Sequence, residues 1–434
     1  GEVALAIRLN EERAALWETN LANVFEMRTG ARPAVGLGNS RSWQIALPSL
    51  APRSSTLLLE RSGDWTFLGL APATNSLFSE FLARVQENQD PFNSSATNHW
   101  VEAELDLSRI SSAFSLGWEL PPQAPRISLT FSENEGRMRT VAQLKFTNEL
   151  PFEFEAWQIP TNLIHDPLVS FTAVQGLKPW LTKSPHWQTL NSGDAPNQIF
   201  LWAMDGMPFL SYCAAPLKNA SNVVAAISER LLTSGNAWLS TNEGIGRFEL
   251  STNGNRTVWR DLPLSSPYLE AAVDEGREFV TGGLVPVVMT GRPAPIELMK
   301  EILTRTNLFY YDWEITGLRI EQLLYSVQMF RLACHKAQVP ASSVSVAWLR
   351  ALEQKLGNCG TVVTRTSPNQ LSLVRNSTIG LSAAELHLLV DWLESPDFPR
   401  GLNTFRAPPD FVPKRRSRSG NPDSAIAPPA PLPR

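Results

Sequence analysis

The sequence predicts an α+β fold, built as two similar modules of antiparallel sheet with packed helices and followed by a small, mainly helical region and a disordered tail. Three observations carry that prediction. Apolar runs broken by short glycine turns recur along the chain, and amphipathic stretches follow several of them. One phrase is written twice, as PATNSLFSEFLAR at 72–84 and PAPIELMKEILTR at 293–305.

The turns supply the sheet. LLLERSGDWTFLGL turns at Gly63, RISLTFSENEGRMRTVAQLKF near Gly136, IFLWAMDGMPFLSY at Asp205-Gly206, FELSTNGNRTVW at Asn253-Gly254 and EFVTGGLVPVVMT at Gly282-Gly283. Asn-Gly, Asp-Gly and Gly-Gly tolerate the positive φ angles that two-residue turns require, so antiparallel pairing of the flanking runs is the expected result. Helices follow. Leu77, Phe78, Phe81, Leu82 and Val85 recur on one helical stripe, as do Leu298, Met299, Ile302 and Leu303. Thr74 suits an N-cap in the first and Pro295 the first turn of the second.

Residues 72–84 align with 293–305 at an offset of 221, with Pro72, Ala73, Leu77, Glu80, Leu82 and Arg84 meeting identical residues. The next strand, HWVEAELDLSRI, aligns with NLFYYDWEITGL at an offset of 208, and the difference of 13 equals the length of the polar segment Gln86–Asn98. A tandem duplication with one extra surface loop accounts for both offsets, since insertions in surface loops are tolerated. FLSYCAAPLKNASNVVAAISERL and ALAIRLNEERAALWETNLANVF extend the likeness. The modules are read as 1–155 and 156–335, with a C-terminal region at 336–406. There RIEQLLYSVQMFRLACHKAQ, SSVSVAWLRALEQKL and a segment capped by Ser382 and Glu385 read as helices, and GTVVTRTSPNQLSLV as a hairpin at Ser367-Pro368. Residues 407–434 hold eight prolines and almost nothing to bury, and are read as a disordered tail.

With 434 residues, 43% hydrophobic content and 14 tryptophans, the chain can bury more than one core. Its formal charge is −4, and the tail contributes +3, leaving −7 for the rest. A nucleic-acid partner is therefore not expected, although Lys414, Arg415, Arg416 and Arg418 form a basic run in the tail. No stretch is long and apolar enough for a transmembrane helix. The chain begins at Gly1 rather than methionine, as a processed start would. Cys213, Cys334 and Cys359 show no C-x-x-C spacing and read as ordinary thiols, with a Cys334–Cys359 bridge as the alternative in an oxidising compartment.

Catalytic signatures are sparse. His99, His165, His186, His335 and His387 are scattered, with no metal-ligand grouping, nucleophile elbow or phosphate loop anywhere. The weak candidates are carboxylates. In WVEAELDL, strand alternation turns Glu102, Glu104 and Asp106 to one face and Val101, Ala103, Leu105 and Leu107 to the other; FYYDWEI keeps Asp312 and Glu314 at matching places. Carboxylates two residues apart on a strand stand roughly 7 Å from one another, a spacing open to a cation site or a glycosidase acid and base. A solvated or edge-strand acidic face needs the same residues and no function. No cofactor or metal is expected.

WQIPTNLIHDPLVSFTAVQGLKPWL, NLFYYDWEITGLRIEQLL and GDWTFLGLAPA resemble stretches of uncharacterised exported bacterial proteins of the planctomycete and verrucomicrobial kind. The resemblance implies paired strand-helix modules and an exported, periplasmic or cell-envelope setting, and it brings no catalytic residue. The expected function is a non-enzymatic exported or cell-envelope protein that binds a partner or an apolar ligand, or serves structurally. The competing expectation is a glycan hydrolase or cation-binding protein using Glu102, Glu104 and Asp106.

Overall fold

The computed structural model describes residues 3–30, 32, 34–35, 42–47, 55–72, 78–79, 82–83, 87, 99–107, 124–188, 194–207, 209–241, 244–252, 254–262, 264–286, 292–294, 296–333 and 343–394. These form an α+β fold with two antiparallel sheets. The smaller contains β1 (Val3–Arg8), β2 (Ala34–Val35), β3 (Ser42–Leu47), β4 (Ser55–Ser62) and β5 (Trp65–Pro72), in the order β1-β5-β4-β3-β2. Helix α1 (Glu11–Thr29) follows β1, capped by Asn10, whose side chain accepts from the Arg13 N–H, and closed by Gly30 in the left-handed region.

The larger sheet has thirteen strands. Its first segments are β6 (His99–Asp106), β7 (Arg126–Asn134), β8 (Arg137–Lys145), β9 (Leu168–Gln175), β10 (Gln198–Met204) and β11 (Ser211–Pro216). After helix α2 (Ala220–Arg230) come β12 (Arg247–Leu250), β13 (Arg256–Arg260), β14 (Tyr268–Asp274) and β15 (Arg277–Gly283). Helix α3 (Ile296–Leu303) leads into β16 (Leu308–Ile315), and helices α4 (Thr316–Ala333) and α5 (Val344–Glu353) precede β17 (Asn358–Ser367), β18 (Gln370–Ser377) and helix α6 (Ala383–Leu393). The strand order is β12-β13-β14-β15-β11-β10-β9-β16-β17-β18-β8-β7-β6.

The order β1-β5-β4-β3-β2 recurs at one end of the large sheet as β11-β15-β14-β13-β12, with α1 following β1 and α2 following β11. The meanders β6-β7-β8 and β16-β17-β18 meet where β8 pairs with β18. Boundaries drawn at 155 and 335 therefore fall within the span of one hydrogen-bonded sheet. Phe78 is buried edge-on against Phe67 of β5, and Met299 belongs to the core that includes Phe279 of β15.

One face of the large sheet carries Phe171, Phe200, Trp202, Tyr212, Phe279 and Tyr311, packed with Trp157, Ile159 and Ile164 of the preceding segment and with Met299 and Ile302 of α3. This is the main core. The opposite face is covered in two places, by α2 over β14 and β15 and by the layer of α4, α5 and α6, whose own core is Ile320, Leu349, Leu386 and Val390. Ser382 and Glu385 form the expected capping box at the start of α6. No helix among the described residues is long and apolar enough to cross a membrane.

Two local expectations are corrected. Gly282 and Gly283 do not turn a hairpin; they lie inside β15, and the turn joining β14 to β15 is made by Glu275 and Gly276, both at positive φ. Leu303 is exposed rather than part of the α3 core stripe. Thr74, Pro295, Cys334, His335 and the tail at 407–434 lie outside the described residues, so the proposed caps, the Cys334–Cys359 bridge and the disorder of the tail fall there too. Cys359 is a buried free thiol, and Cys213 a half-buried one.

Candidate functional site

The carboxylates singled out in the sequence separate into two unlike environments. Strand β6 forms one edge of the large sheet; Glu102 and Glu104 are exposed there, and Asp106 pairs with Arg126 at 3.6 Å. Strand β1 of the small sheet lies close to β6, so this edge of the hydrogen-bonded sheet is not an open one. Asp312 and Glu314 lie five strands away on β16, about 24 Å at the usual strand spacing, and at register positions that face the other side of the sheet. The structure does not bring the two groups together. Among the described residues, no cluster of His, Cys, Asp and Glu has a metal-holding arrangement.

Asp312 and Glu314 are 8% and 4% exposed, enclosed between β16 and the helical layer. Asp312 accepts a 2.6 Å hydrogen bond from the Thr172 hydroxyl, and Glu314 accepts one of 2.7 Å from the Ala383 N–H at the start of α6. Beside them Arg375 forms a two-pronged pair with Glu385 at 2.5 and 2.9 Å and donates to Thr361 Oγ1 and the Gly380 carbonyl. Burial is the leading cause that raises the Asp312 carboxyl, and it pushes Glu314 up to about 7, against the lowering effect of the Ala383 N–H. The expectation of a solvated acidic face thus fails on β16, because a central strand has both faces covered. Glu314, through the Ala383 N–H, and Arg375, through Glu385, fasten α6 to the sheet, while Asp312 is tied to Thr172 of β9.

The cavity lies on the other face. It measures about 390 Å³, within the range of small-molecule sites. Strand register explains its walls. Trp202, Tyr212, Gly283 and Tyr268 are successive cross-strand neighbours on β10, β11, β15 and β14, and one step along the same face Thr281, Glu270 and Arg256 follow in line. Trp202 and Tyr212 stack at 5.8 Å; Arg256 pairs with Glu270 at 2.7 Å and lies 4.7 Å above the Tyr268 ring. The roof is the segment 162–165, held by Asn162, which donates through its backbone N–H and side-chain amide to Asp274, and by the Ala294 N–H, which donates to the Ile164 carbonyl.

Three of the lining residues also carry a polar atom that is buried away from any accessible space and has no hydrogen-bond partner in the protein: Trp202 Nε1, Tyr212 Oη and His165 Nδ1. Trp202 and Tyr212 are each only 4% exposed. A buried hydroxyl or indole N–H left unpaired costs about 1–3 kcal/mol, and such atoms also occur away from the cavity, at Trp43, Trp157 and Trp187 among others. Burial raises the Tyr212 and Tyr268 phenols and the Cys213 thiol above their usual values. Cys213 therefore stays a thiol at neutral pH, which disfavours a nucleophilic role.

Gly283 makes the geometry possible. A Cβ there would come within 2.5 Å of the Tyr212 ring and 3.0 Å of the Tyr268 ring, so only glycine lets both tyrosines lean over one backbone position. Gly283→Ala is expected to destabilise the chain by about 1–3 kcal/mol through overpacking and to displace Tyr212, seen as a lower denaturation midpoint and altered near-ultraviolet dichroism. Sequence reading missed this site: His165 was met only as one of five scattered histidines, and Gly282-Gly283 as a turn. The available signal was the Gly-Gly pair itself, once its distance from the Glu275-Gly276 turn places it within a strand. Comparison with family models, with curated proteins and with solved structures finds no match to this chain.

Proposed function

We propose that this protein is a non-enzymatic binding protein that holds a small ligand in the cavity between β10, β11, β14 and β15 and the 162–165 segment. The observation that carries this reading is a 390 Å³ cavity lined by the aromatic rings of Trp202, Tyr212 and Tyr268 and by the paired charges of Arg256 and Glu270. A ligand held there stabilises the folded state according to its affinity and concentration. The lining is mixed rather than wholly apolar, so the expected apolar ligand becomes one with polar atoms at defined places. An exported or envelope setting is part of the proposal; it is supported by the resemblance of WQIPTNLIHDPLVSFTAVQGLKPWL, which contains Asn162, Leu163 and His165.

The tandem duplication belongs here as well. It is supported by the shared strand order of the small sheet and β11–β15, by the strand that follows each hairpin, and by the paired aligned phrases. The hydrolase alternative has weaker support, since Glu102 and Glu104 are exposed on β6 while Asp312 and Glu314 are enclosed five strands away.

Native mass spectrometry of the protein taken from its own source tests the binding reading. The expected result is a mass above that of the chain. A mass equal to the bare chain in the wild type overturns it. Tyr212→Phe is also expected to be more stable than ligand-free wild type by about 1 kcal/mol in chemical denaturation, because it removes a buried hydroxyl with no partner.

A further inference from the structure

We infer that α1 pairs with α1 of a second copy of this chain, antiparallel, through an apolar stripe that the fold leaves facing outward. No residue of the cavity takes part. Trp17, Asn20, Val24 and Met27 recur at spacings of three, four and three, which sets them in one line along the helix with Leu16 beside them. Leu16 is 58% exposed, Trp17 39%, Val24 46% and Met27 79%, and Asn20 is exposed among them. The inward side of the helix is a different set of residues: Leu21 and Phe25 pack on the core of Trp43, Ile45 and Leu59.

The second helix of the same kind shows that the fold does not require this stripe. Helix α2 follows β11 as α1 follows β1, and each has an asparagine at its N-cap, Asn219 and Asn10. Leu16 and Trp17 stand six and seven positions after Asn10; the same positions after Asn219 hold Ala225 and Ala226. The outward side of α2 otherwise shows Ser221, Asn222 and Glu229. An equivalent strand order is thus built under a helix with no large apolar residue outside. A contiguous exposed apolar surface of this kind marks a contact site.

The stripe and the charges around it match their own reverse. An antiparallel pair centred near position 22 sets Trp17 against Met27 of the second copy and Asn20 against Val24, each contact made twice, as a two-fold interface requires. The first turn of α1 is acidic at Glu11 and Glu12, while Arg32, 74% exposed, lies just past the closing Gly30 and has Glu26 at 3.7 Å. Antiparallel pairing brings each acidic end beside the basic end of the other copy and opposes the two helix dipoles; parallel pairing does neither. Asn20 is the one polar residue between Trp17 and Met27 in this line, and such a residue fixes register at a cost in stability. A lipid surface suits the helix less well, because Glu11, Glu12, Glu18 and Glu26 outnumber its arginines, whereas interfacial helices are rich in Lys and Arg. Three turns of seam bury less than the roughly 1,200 Å² of a stable interface, so the pairing is of the weak class.

Sedimentation equilibrium of the full chain from about 10 μM to 1 mM tests the pairing. The expected result is a monomer–dimer equilibrium whose dissociation constant rises about tenfold or more in Val24→Lys and falls about tenfold in Asn20→Leu. Both positions are exposed, so the urea midpoint of each monomer should stay near that of the wild type. Oxidation of Asn20→Cys combined with Val24→Cys should link two chains, with residue 20 of one joined to residue 24 of the other in peptide mass spectra. A chain that remains monomeric to about 1 mM overturns the pairing, as does a dimer that Val24→Lys leaves unchanged. A dimer weakened by Val24→Lys but joined only 20 to 20 and 24 to 24 overturns the antiparallel arrangement.

Discussion

At pH 8, Glu314→Gln is expected to be more stable than the wild-type chain by about 2–3 kcal/mol, with the difference vanishing below about pH 4.5. Glu314 is 4% exposed, and burial lifts its carboxyl from 4.5 to about 7. Each unit of such a shift corresponds to about 1.4 kcal/mol between the protonation states. Because the folded-state value lies above the unfolded one, the folded chain holds the proton more tightly over this interval. Stability from this group is therefore complete below about 4.5 and is lost as pH rises through about 7. Asp312, raised in the same direction, adds to the trend from its own lower starting value. The amide keeps an oxygen to accept from Ala383 while carrying no charge to desolvate. The groups gathered around Glu314 are Asp312 on its own strand, Arg319 on α4, Cys359 on β17, Arg375 on β18 and Glu385 on α6, and their charges act in both variants. Urea denaturation of both proteins between pH 4.5 and 8 gives the measurement. Parallel curves across that range would mean that the buried carboxylate does not titrate there.

The same residue marks where sequence reading stops. Alternation in WVEAELDL and FYYDWEI makes both segments strands with carboxylates in register, and both are strands. Alternation is silent about neighbours. It does not say that β6 ends a sheet while β16 sits between β9 and β17, and that difference decides whether a carboxylate meets water or a helix N-terminus. Local signals were read well where the physics is local, as in the turns at Gly63 and Gly136 and the cap at Ser382. Gly282-Gly283 failed for the opposite reason. Its glycines answer a steric demand set by Tyr212 on β11 and Tyr268 on β14, the former about seventy positions earlier in the chain. The cavity was illegible for the same cause: its row of Trp202, Tyr212, Gly283 and Tyr268 exists only through pairing across four strands.

The second large effect follows from the asymmetry of the Arg375–Glu385 pair. Glu385→Ala is expected to cost about 3 kcal/mol or more, and Arg375→Met no more than about half of that. The side chain of Arg375 is 11% exposed and that of Glu385 is 40% exposed. Removing the carboxylate strands a guanidinium among Thr361, the Gly380 carbonyl and the sheet, and leaving a buried charge without its partner costs about 3–5 kcal/mol. The lower end applies because the carboxylate side of the pair reaches solvent. Glu385 also accepts from the Ser382 N–H to close the capping box of α6, so its loss frays the same helix. Removing the guanidinium instead leaves a carboxylate that water can solvate and that still caps the helix, while the methionine chain fills much of the space. If α6 is fastened to the sheet through this pair, Glu385→Ala should also speed amide exchange along Ala383–Leu393 well beyond that seen in Arg375→Met. Equal losses in the two variants would show that the pair acts as a surface ion pair and that the apolar contacts of Leu386 and Val390 hold the helix by themselves.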